Sequence, residues 1–465
     1  MDAETSRSTV QPAPPGNPAS DRADAIAALE KQLAATPRSV YPYQHAGLAY
    51  RLGLAHAESA AANPAGELRK ALACYDLAAS IFDPRYDPVP HARVLNAAGA
   101  ARRALGDRRK AGELFERAAE LLAGHDRDDE RGAALNNLGL VRTELGQPDE
   151  AVAACDEALT LFDGSTPDGR RARAAALHTR GMAHASMGTE AGLAAALEDY
   201  AEALSGIAPG DAPYHHAILK SASGVASIAL AEIRTDQADR LLQDAEDSIS
   251  ESLAFFTRAA FPYHYALGKH NLGLAILRRA SLPGRRASIE GLRWALACFE
   301  ETVSVLDPRL YNAEWQQGYT NLNRTETELA NRGAPGTRAE HFAALLASSS
   351  RDVRVDLFRE RLTRLLMRPD SGGSGSLVEL GRAIARLDYD VARTLMVDEI
   401  KVLMELPRPD LHAGLKARFE AHRGLPPEER ERADEALDQA IGDALVGPQR
   451  MFVRDFFYEL GWERP

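Results

Sequence analysis

The sequence predicts an all-α protein in which pairs of helices stack into a superhelical solenoid, followed by a small C-terminal helical bundle. Alanine, leucine, arginine and glutamate recur throughout the chain, and these side chains lose little rotamer freedom in a helix. No sustained alternation of β-branched and aromatic residues lies between tight turns, so a β-sheet is not expected. One pattern of small and apolar residues recurs at a long period, which is typical of helical repeats.

The bulk composition indicates a globular protein of the cytoplasm. The chain of 465 residues has a formal net charge of −12, which argues against a general affinity for nucleic acids or anionic membranes. We find no apolar signal sequence at its start and no apolar run of membrane-spanning length. Cys74, Cys155 and Cys298 are too far apart for a disulfide framework or a local zinc motif. We therefore expect buried, reduced thiols and no cofactor or metal.

Changes in composition divide the chain into four predicted segments. Residues 1–20 are rich in proline, serine and alanine and form a predicted disordered leader. Residues 21–368 form the predicted solenoid of helix pairs, and the glycines and serines of residues 369–376 indicate a linker. Residues 377–465 keep a three-four apolar spacing without the repeat, so they form a predicted helical domain of their own.

Two central segments align closely and define the repeat. The segment LNNLGLVRTELGQPDEAVAACDEALTLFD begins at Leu135, and LNAAGAARRALGDRRKAGELFERAAELLAG begins at Leu95. Each is predicted to form a helix, a short turn and a second helix. Small residues occupy equivalent positions in both segments: Gly99 and Gly139 in the first helix, and Ala111, Ala118, Ala151 and Ala158 in the second. Small side chains there let two antiparallel helices approach closely.

This pattern resembles the tetratricopeptide repeat family, whose signature is a Leu-Gly pair in the first helix and Ala-(x)3-Phe/Tyr-(x)2-Ala in the second. The best matches are Leu138-Gly139 with Ala151, Cys155 and Ala158, and Ala98-Gly99 with Ala111, Phe115 and Ala118. Looser copies centre on Gly47 (with Ala71, Tyr75 and Ala78), Gly181, Gly224, Gly273 and Gly318. The seven glycines are 40 to 52 residues apart. Since the usual period is ~34 residues, we expect longer helices or expanded turns.

The resemblance implies that side chains of the first helices line the inner groove of the solenoid. Counting three residues before and four after the repeat glycines selects a predicted groove set: Gln44, Arg51, Asn96, Arg103, Asn136, Thr143, His178, Ser221, His270 and Trp315. Two interpretations are open. The amide and guanidinium groups either fix an extended partner segment by its backbone and carboxylates, or form a solvated wall that binds nothing.

These patterns favour a non-enzymatic scaffold or adaptor that binds a protein or peptide, for example as an assembly or maturation factor. An alternative is a nucleic-acid-associated regulator, because one predicted helix carries several arginines: Arg351, Arg354, Arg361, Arg364 and Arg368. Asp352, Asp356 and Glu360 dilute that charge, and arginines that lie over packed leucines need no ligand.

A third hypothesis is a divergent enzyme that uses histidines. His215 and His216 are adjacent, and His264 and His270 lie close together in the sequence. Adjacent side chains on a helix point about 100° apart, so His215 and His216 need a third element to hold one metal ion. The sequence has no phosphate-binding loop, H-E-x-x-H, G-x-S-x-G or dinucleotide-binding motif.

The predicted last helix, QRMFVRDFFYELGWERP, is unusually rich in aromatic residues: Phe452, Phe456, Phe457, Tyr458 and Trp462. Apolar side chains cover more than half of its circumference, so it is not comfortably solvated. Either it folds back onto the C-terminal domain, or Phe452, Phe456, Phe457 and Trp462 anchor a partner or a second copy of the chain.

Overall fold

The computed structural model describes residues 18–59, 64–282, 288–366 and 373–462. Every regular element within these ranges is a helix, so the predicted all-α fold class is confirmed. Residues 1–17 of the predicted leader lie outside the described residues, and Pro18 begins the first helix. The chain divides into two compact units, Met1–Ala275 and Ile276–Pro465. We call them the first unit and the second unit.

The first unit is a stack of antiparallel helix pairs. Its helices are α1 (Pro18–Ala35), α2 (Pro42–Glu58), α3 (Pro64–Ala79), α4 (Pro88–Ala104), α5 (Arg108–Leu122), α6 (Asp128–Glu144), α7 (Pro148–Leu161), α8 (Pro167–Ser186), α9 (Glu190–Gly206), α10 (Pro213–Ile233), α11 (Ala238–Phe255) and the first part of α12 (Pro262–Ala280). From α1 to α11, each helix packs against the next one. The pairs α2/α3 to α10/α11 therefore form a solenoid, as predicted.

Local sequence explains where these helices begin and end. Proline, whose fixed φ suits the first turn, stands at the start of α2, α4, α7, α8 and α10. The side chain of Asp107 caps α5 by accepting a hydrogen bond from the Lys110 amide. After α4 and α6 the chain turns through Gly106 and Gly146, whose φ angles are 86° and 74°. Only glycine adopts such angles without strain, so these two positions stop the helices.

A glycine on the first helix of each pair lies against a large buried side chain on the second. A Cβ atom built on Gly99 would stand 2.7 Å from Phe115 Cε1, and one on Gly139 would stand 2.6 Å from Cys155 Sγ. Gly181 meets Tyr200 and Gly224 meets Ile249 in the same way. The partner side chains Phe115, Cys155, Tyr200 and Ile249 are at most 2% exposed. The close contact that the repeat pattern predicts is therefore present in four pairs.

The first pair corrects the predicted repeat register. Tyr75 packs on Gly53, where an added Cβ would stand 2.5 Å from Tyr75 Cε1. Gly47, the predicted contact glycine, has no atom within 4 Å of an added Cβ. The register of α2 is thus shifted by six residues from the prediction. The sequence could not show which glycine makes the contact, because both lie in the same helix and only the packing distinguishes them.

First helices also contact one another, which places them on the inner side of the stack. Helix α4 packs against α2 and α6, and α8 packs against α6 and α10. Within the described residues, contacts between successive second helices are weaker than these. The stack therefore curves toward the first helices, whose exposed sides form the groove of the first unit: α2, α4, α6, α8 and α10.

The second unit has a different packing pattern. It contains the end of α12 and the helices α13 (Ile289–Val305), α14 (Asn312–Asn331), α15 (Arg338–Ser348), α16 (Arg351–Leu366), α17 (Gly373–Ala385), α18 (Tyr389–Met404), α19 (Arg408–Arg423), α20 (Pro427–Ala444) and α21 (Gly447–Glu459). Here α15 packs on α17, α16 on α18, α17 on α19 and α18 on α20. Gly318 faces Thr302 of the preceding helix, with 3.0 Å between an added Cβ and Thr302 Cγ2.

This division differs from the predicted one. Helix α16 precedes the predicted linker, residues 369–376, yet it packs on α17, α18 and α19, which follow it. Both sides of the linker share one hydrophobic core, which runs from Phe342 to Trp462. Residues 367–372 lie outside the described residues, and residues 373–376 begin α17. The boundary between the units instead lies within α12.

We expect alanine at the two glycines of α2 to have opposite effects. Gly53→Ala places a methyl group against the buried Tyr75 ring and should cost about 1–3 kcal/mol of unfolding free energy. Gly47→Ala meets no neighbour and raises helix propensity, so it should be neutral or stabilising by up to about 1 kcal/mol. Urea unfolding of both variants measures the difference. Equal losses in both would show that the corrected register is wrong.

Candidate functional site

The contact glycines define which side chains face the groove. The residues three positions before them are Tyr50, Asn96, Asn136, His178 and Ser221, all half-buried, and we call them the polar row. The residues one position after them are Leu54, Ala100, Leu140, Met182 and Val225, which are half-buried or exposed and form the apolar row. On each helix the two rows are four residues apart and lie side by side. Tyr50 takes the place that was predicted for Gln44.

Two asparagines of the polar row differ in their bonding. Asn137 Nδ2 donates a hydrogen bond of 3.0 Å to Asn96 Oδ1, which joins α6 to α4. Asn136 Oδ1 is buried and has no hydrogen-bond partner in the described part of the chain. A buried carbonyl oxygen without a donor is costly. Because this oxygen is closed to solvent, it belongs to the packing of α6 and is not an acceptor open to the groove.

His178 contributes an uncharged ring to the polar row. Burial, with a smaller contribution from the nearby His215, lowers the pKa of His178 to about 4. Burial also lowers the pKa of His215, with a smaller contribution from Arg171. The ring of His178 lies 5.9 Å from that of Tyr200, centroid to centroid. Near neutral pH both imidazoles are neutral, so each has one N–H donor and one nitrogen acceptor.

The arginines beside the rows already have carboxylate partners. Arg93 of α4 makes two hydrogen bonds of 2.6 Å to Glu130 of α6. Arg103 bonds Glu144 at 2.9 and 2.6 Å, and Arg108 bonds the other oxygen of Glu144 at 3.0 Å. The prediction that Arg103 holds a partner carboxylate is not supported, because Glu144 occupies its guanidinium group. Instead, the pairs of Arg93 and Arg103 join α4 to α6, and that of Arg108 joins α5 to α6.

The remaining members of the predicted groove set lie elsewhere. With the corrected register, Arg51 is exposed and lies next to Tyr50 rather than at a row position. The hydroxyl of Thr143 donates a hydrogen bond of 2.9 Å to Gly139 O of its own helix. His270 lies half-buried on α12, and its burial lowers its pKa. Trp315 belongs to the second unit and donates its indole N–H to Val303 O at 3.1 Å. Of the ten residues of the predicted groove set, Asn96, Asn136, His178 and Ser221 lie in the polar row, and Arg103 lies four residues after the contact glycine Gly99.

Trp315 and two histidines share a structural role that the sequence did not predict: each side chain bonds a main-chain carbonyl near the end of the preceding helix. His45 Nδ1 lies 2.7 Å from Thr36 O, and His91 Nδ1 lies 2.7 Å from Phe82 O. Like Trp315, each ring sits in the first turn of a first helix and bonds a carbonyl near the end of the preceding second helix. A proline three residues before each histidine, at Pro42 and Pro88, is the sequence signal of this turn.

The arginine-rich helix α16 is built into the second unit. Arg354 bonds Asp398 at 2.9 Å, and Arg364 bonds Glu301 at 2.5 Å. Arg361 pairs with Glu300, and its guanidinium carbon lies 3.9 Å from the centre of the Phe342 ring. The side chains of Arg361 and Arg364 are only 10% and 6% exposed. The structure does not support a nucleic-acid surface at Arg354, Arg361 and Arg364, whose guanidinium groups are paired inside the unit. Arg351 is 66% exposed and lies 3.7 Å from Asp398, and Arg368 lies outside the described residues.

The C-terminal helix α21 folds back onto its own unit. Phe457 is fully buried and Trp462 is 5% exposed, and both belong to the core of the second unit. The Phe456 ring stacks on His412, with 5.0 Å between centroids. Phe452 remains 37% exposed. Phe457 and Trp462 are thus core residues rather than anchors for a partner, because their apolar surface is already removed from water within one chain.

Neither a metal-holding cluster nor a membrane-spanning helix is found among the described residues. No group of three or more His, Cys, Asp or Glu side chains among them could hold a metal ion. No helix in the described part of the chain is long and apolar enough to cross a membrane. Burial raises the pKa of Cys155 to about 12, as expected for a packed and unreactive thiol.

Comparisons with known proteins do not identify the chain. No family model matches it, and no curated protein matches it. Among solved structures it is similar to one described as a circular tandem repeat protein with novel repeat topology and enhanced subunit contact surfaces. That match is 13% identical, covers 96% of this chain and 92% of the other, and has a TM-score of 0.19. A TM-score this low supports no argument about function.

We expect His178 to make the first unit acid-sensitive. Its native pKa of about 4 lies below the ordinary value of 6.5, so between these values the unfolded chain takes up a proton that the folded chain does not. Stability is therefore lost as the pH falls through this window. The melting temperature of His178→Gln should fall less than that of wild type between about pH 7 and about pH 5. Exposed His125→Gln is the control, and equal falls in all three proteins would contradict the assignment.

We expect Arg364 to stabilise the second unit rather than to bind a ligand. Arg364→Ala removes the guanidinium group that pairs with the buried Glu301 carboxylate, which should cost about 3–5 kcal/mol. Arg393→Ala is the control, because its ion pair with Asp443 is exposed and worth at most about 1 kcal/mol. Urea unfolding measures both losses. Wild-type stability of Arg364→Ala would show that the buried ion pair does not hold α16 in place.

Proposed function

We propose that the protein is an interaction scaffold whose first unit binds an extended segment of a partner protein in its groove. The observation that supports this most directly is the pair of rows on five successive first helices. The polar row presents hydrogen-bonding groups, and the apolar row presents methyl and thioether groups beside them. An extended chain has the same two kinds of surface, since main-chain amides alternate with side chains along its length.

The resemblance to the tetratricopeptide repeat family supports the same proposal. Each of the five pairs of the first unit keeps a glycine of the first helix against a buried side chain of the second, which is Tyr, Phe, Cys, Tyr or Ile in chain order. We extend the proposal to a non-enzymatic role in the cytoplasm, such as the assembly or maturation of another protein. Solenoids present extended concave surfaces, and they suit this role because binding needs shape and hydrogen bonds rather than a reactive centre.

Site-specific photo-cross-linking tests the proposal directly. Benzoylphenylalanine at Leu140 of the apolar row should cross-link a partner protein in lysate of the native cells, because that side chain faces the groove. The matched control is Ala153, an exposed residue of the second helix of the same pair. The Leu140 adduct should weaken when Asn96 and Asn136 are changed to Ala.

Three outcomes separate the possibilities in this experiment. A partner adduct from Leu140 alone supports the groove. Adducts from Ala153 alone, or equally from both positions, would place binding elsewhere on the protein. An adduct with twice the mass of the chain would show that the groove binds a second copy rather than another protein.

A further inference from the structure

The turn between α4 and α5 concentrates positive charge on one edge of the first unit. Five cations lie at the end of α4 and the start of α5, and we call them the basic turn: Arg102, Arg103, Arg108, Arg109 and Lys110. The whole chain has a net charge of −12, and the next two second helices, α7 and α9, contain four acidic residues each and no lysine or arginine. The basic turn is therefore a local exception on an acidic protein.

Carboxylates of the first unit compensate only part of this charge. Arg103 and Arg108 share Glu144, with nitrogen–oxygen distances of 2.6 and 3.0 Å. Arg102 lies 3.4 Å from Asp107, and both side chains of this pair are partly exposed. The five cations thus share two carboxylates, so more than half of the positive charge of the turn has no internal counterpart.

Arg109 and Lys110 carry most of the surplus charge. Both side chains are exposed, and within the part of the chain that the structure describes neither forms an ion pair. Glu113, one turn further along α5, is paired with neither of them. Arg109 and Lys110 can therefore form charge-assisted hydrogen bonds to an external carboxylate without breaking a bond inside the protein.

The other helix pairs show that the fold does not need cations at this place. In α3, α7, α9 and α11 the first turn of the second helix contains acidic residues: Glu67, Asp149, Glu150, Glu190 and Asp239. Carboxylates stabilise a first turn and cations disfavour it, because the amino end of a helix is the positive end of its dipole. Helix α5 has three consecutive cations there and no acidic residue. Helix formation therefore does not account for Arg109 and Lys110.

We propose that the basic turn is a docking surface for an acidic segment of a partner protein. Several Asp or Glu side chains in succession would pair with its guanidinium and ammonium groups, and arginine suits this role because its planar fork matches a carboxylate. The proposal goes beyond groove binding and does not depend on it, since Arg109 and Lys110 belong to a second helix and lie outside both rows.

The surrounding charge favours an acidic protein segment over nucleic acid. Helix α7 begins at the same edge of the stack as α5, and its acidic side chains are all exposed: Asp149, Glu150, Asp156 and Glu157. A DNA duplex carries one negative charge per ~1.7 Å along its whole length, so where it extends past the turn it would meet these carboxylates. A short acidic segment ends before it reaches them.

Fluorescence anisotropy with a defined peptide tests the proposal. The probe is a peptide of alternating Glu and Gly with acetylated and amidated ends and an uncharged dye, added to the full chain. It should bind saturably at ~50 mM NaCl, and its affinity should fall at least about ten-fold at ~300 mM because exposed ion pairs are screened. The same peptide with Gln in place of Glu should not bind, since it has no charge to pair.

A double charge reversal localises the binding. Arg109→Glu with Lys110→Glu should lower the affinity for the Glu peptide at least about ten-fold. Its melting temperature should equal or exceed that of wild type, because glutamate suits the first turn of a helix and no internal ion pair is lost. The matched control is Arg423→Glu with Arg432→Glu, two exposed positions of the second unit, which changes the net charge equally and should keep the wild-type affinity.

Three results would overturn the proposal. The first is no binding of the Glu peptide at low salt. The second is an equal loss of affinity in the control, which would show that the peptide responds to overall charge rather than to the basic turn. The third is a single-stranded oligonucleotide of equal charge that binds more tightly than the peptide and is lost in the double variant, which would assign the surface to nucleic acid. None of these results bears on cross-linking at Leu140, so this proposal and groove binding fail separately.

Discussion

The architecture of the first unit depends on contact between the bare backbone of a glycine and a large side chain on the neighbouring helix. Gly99 against Phe115 and Gly181 against Tyr200 are two examples, and both aromatic rings are at most 2% exposed. Because the glycine has no side chain, the ring packs directly on the helix and fixes its rotation. The residues three before and one after the glycine must then face inward. The same contact that holds each pair together therefore creates both rows of the groove.

The second unit depends on a different kind of contact. Its helix α16 is tied to α13 and α18 by ion pairs whose partners are nearly all buried, such as Arg364 with Glu301 and Arg354 with Asp398. Buried charges are stable only when each has its partner and further hydrogen bonds. Such pairs tolerate little displacement, so they specify the position of α16 more strictly than apolar packing does. The arginines of this helix therefore hold α16 in place within the unit and are not evidence of affinity for an external anion.

The sequence predicted the fold well and the site only partly, for identifiable reasons. Gly99, Gly139, Gly181 and Gly224 make the expected contacts because their surroundings keep the small-to-large pattern. In α2 two glycines compete, and only the position of the Tyr75 ring shows that Gly53 is the contact residue. The partners of Arg93 and Arg103 lie 37 and 41 residues away in the sequence. Such pairs depend on how successive first helices stack, which composition and spacing do not encode.

The use of cysteine instead of an aromatic residue against Gly139 has a consequence for how this solenoid can be studied. Cys155 is fully buried between α6 and α7, near the middle of the first unit, and its pKa is raised by burial. A thiol reagent reaches its sulfur only after these two helices separate, since the thiolate is the reactive form and neither it nor the reagent is accommodated in the closed pair. The rate of alkylation at Cys155, followed separately from that at the partly buried Cys74 and at Cys298, then reports how often the middle of the stack opens while its ends stay folded. Cys155 is thus a natural probe of local opening between α6 and α7, and no label has to be introduced.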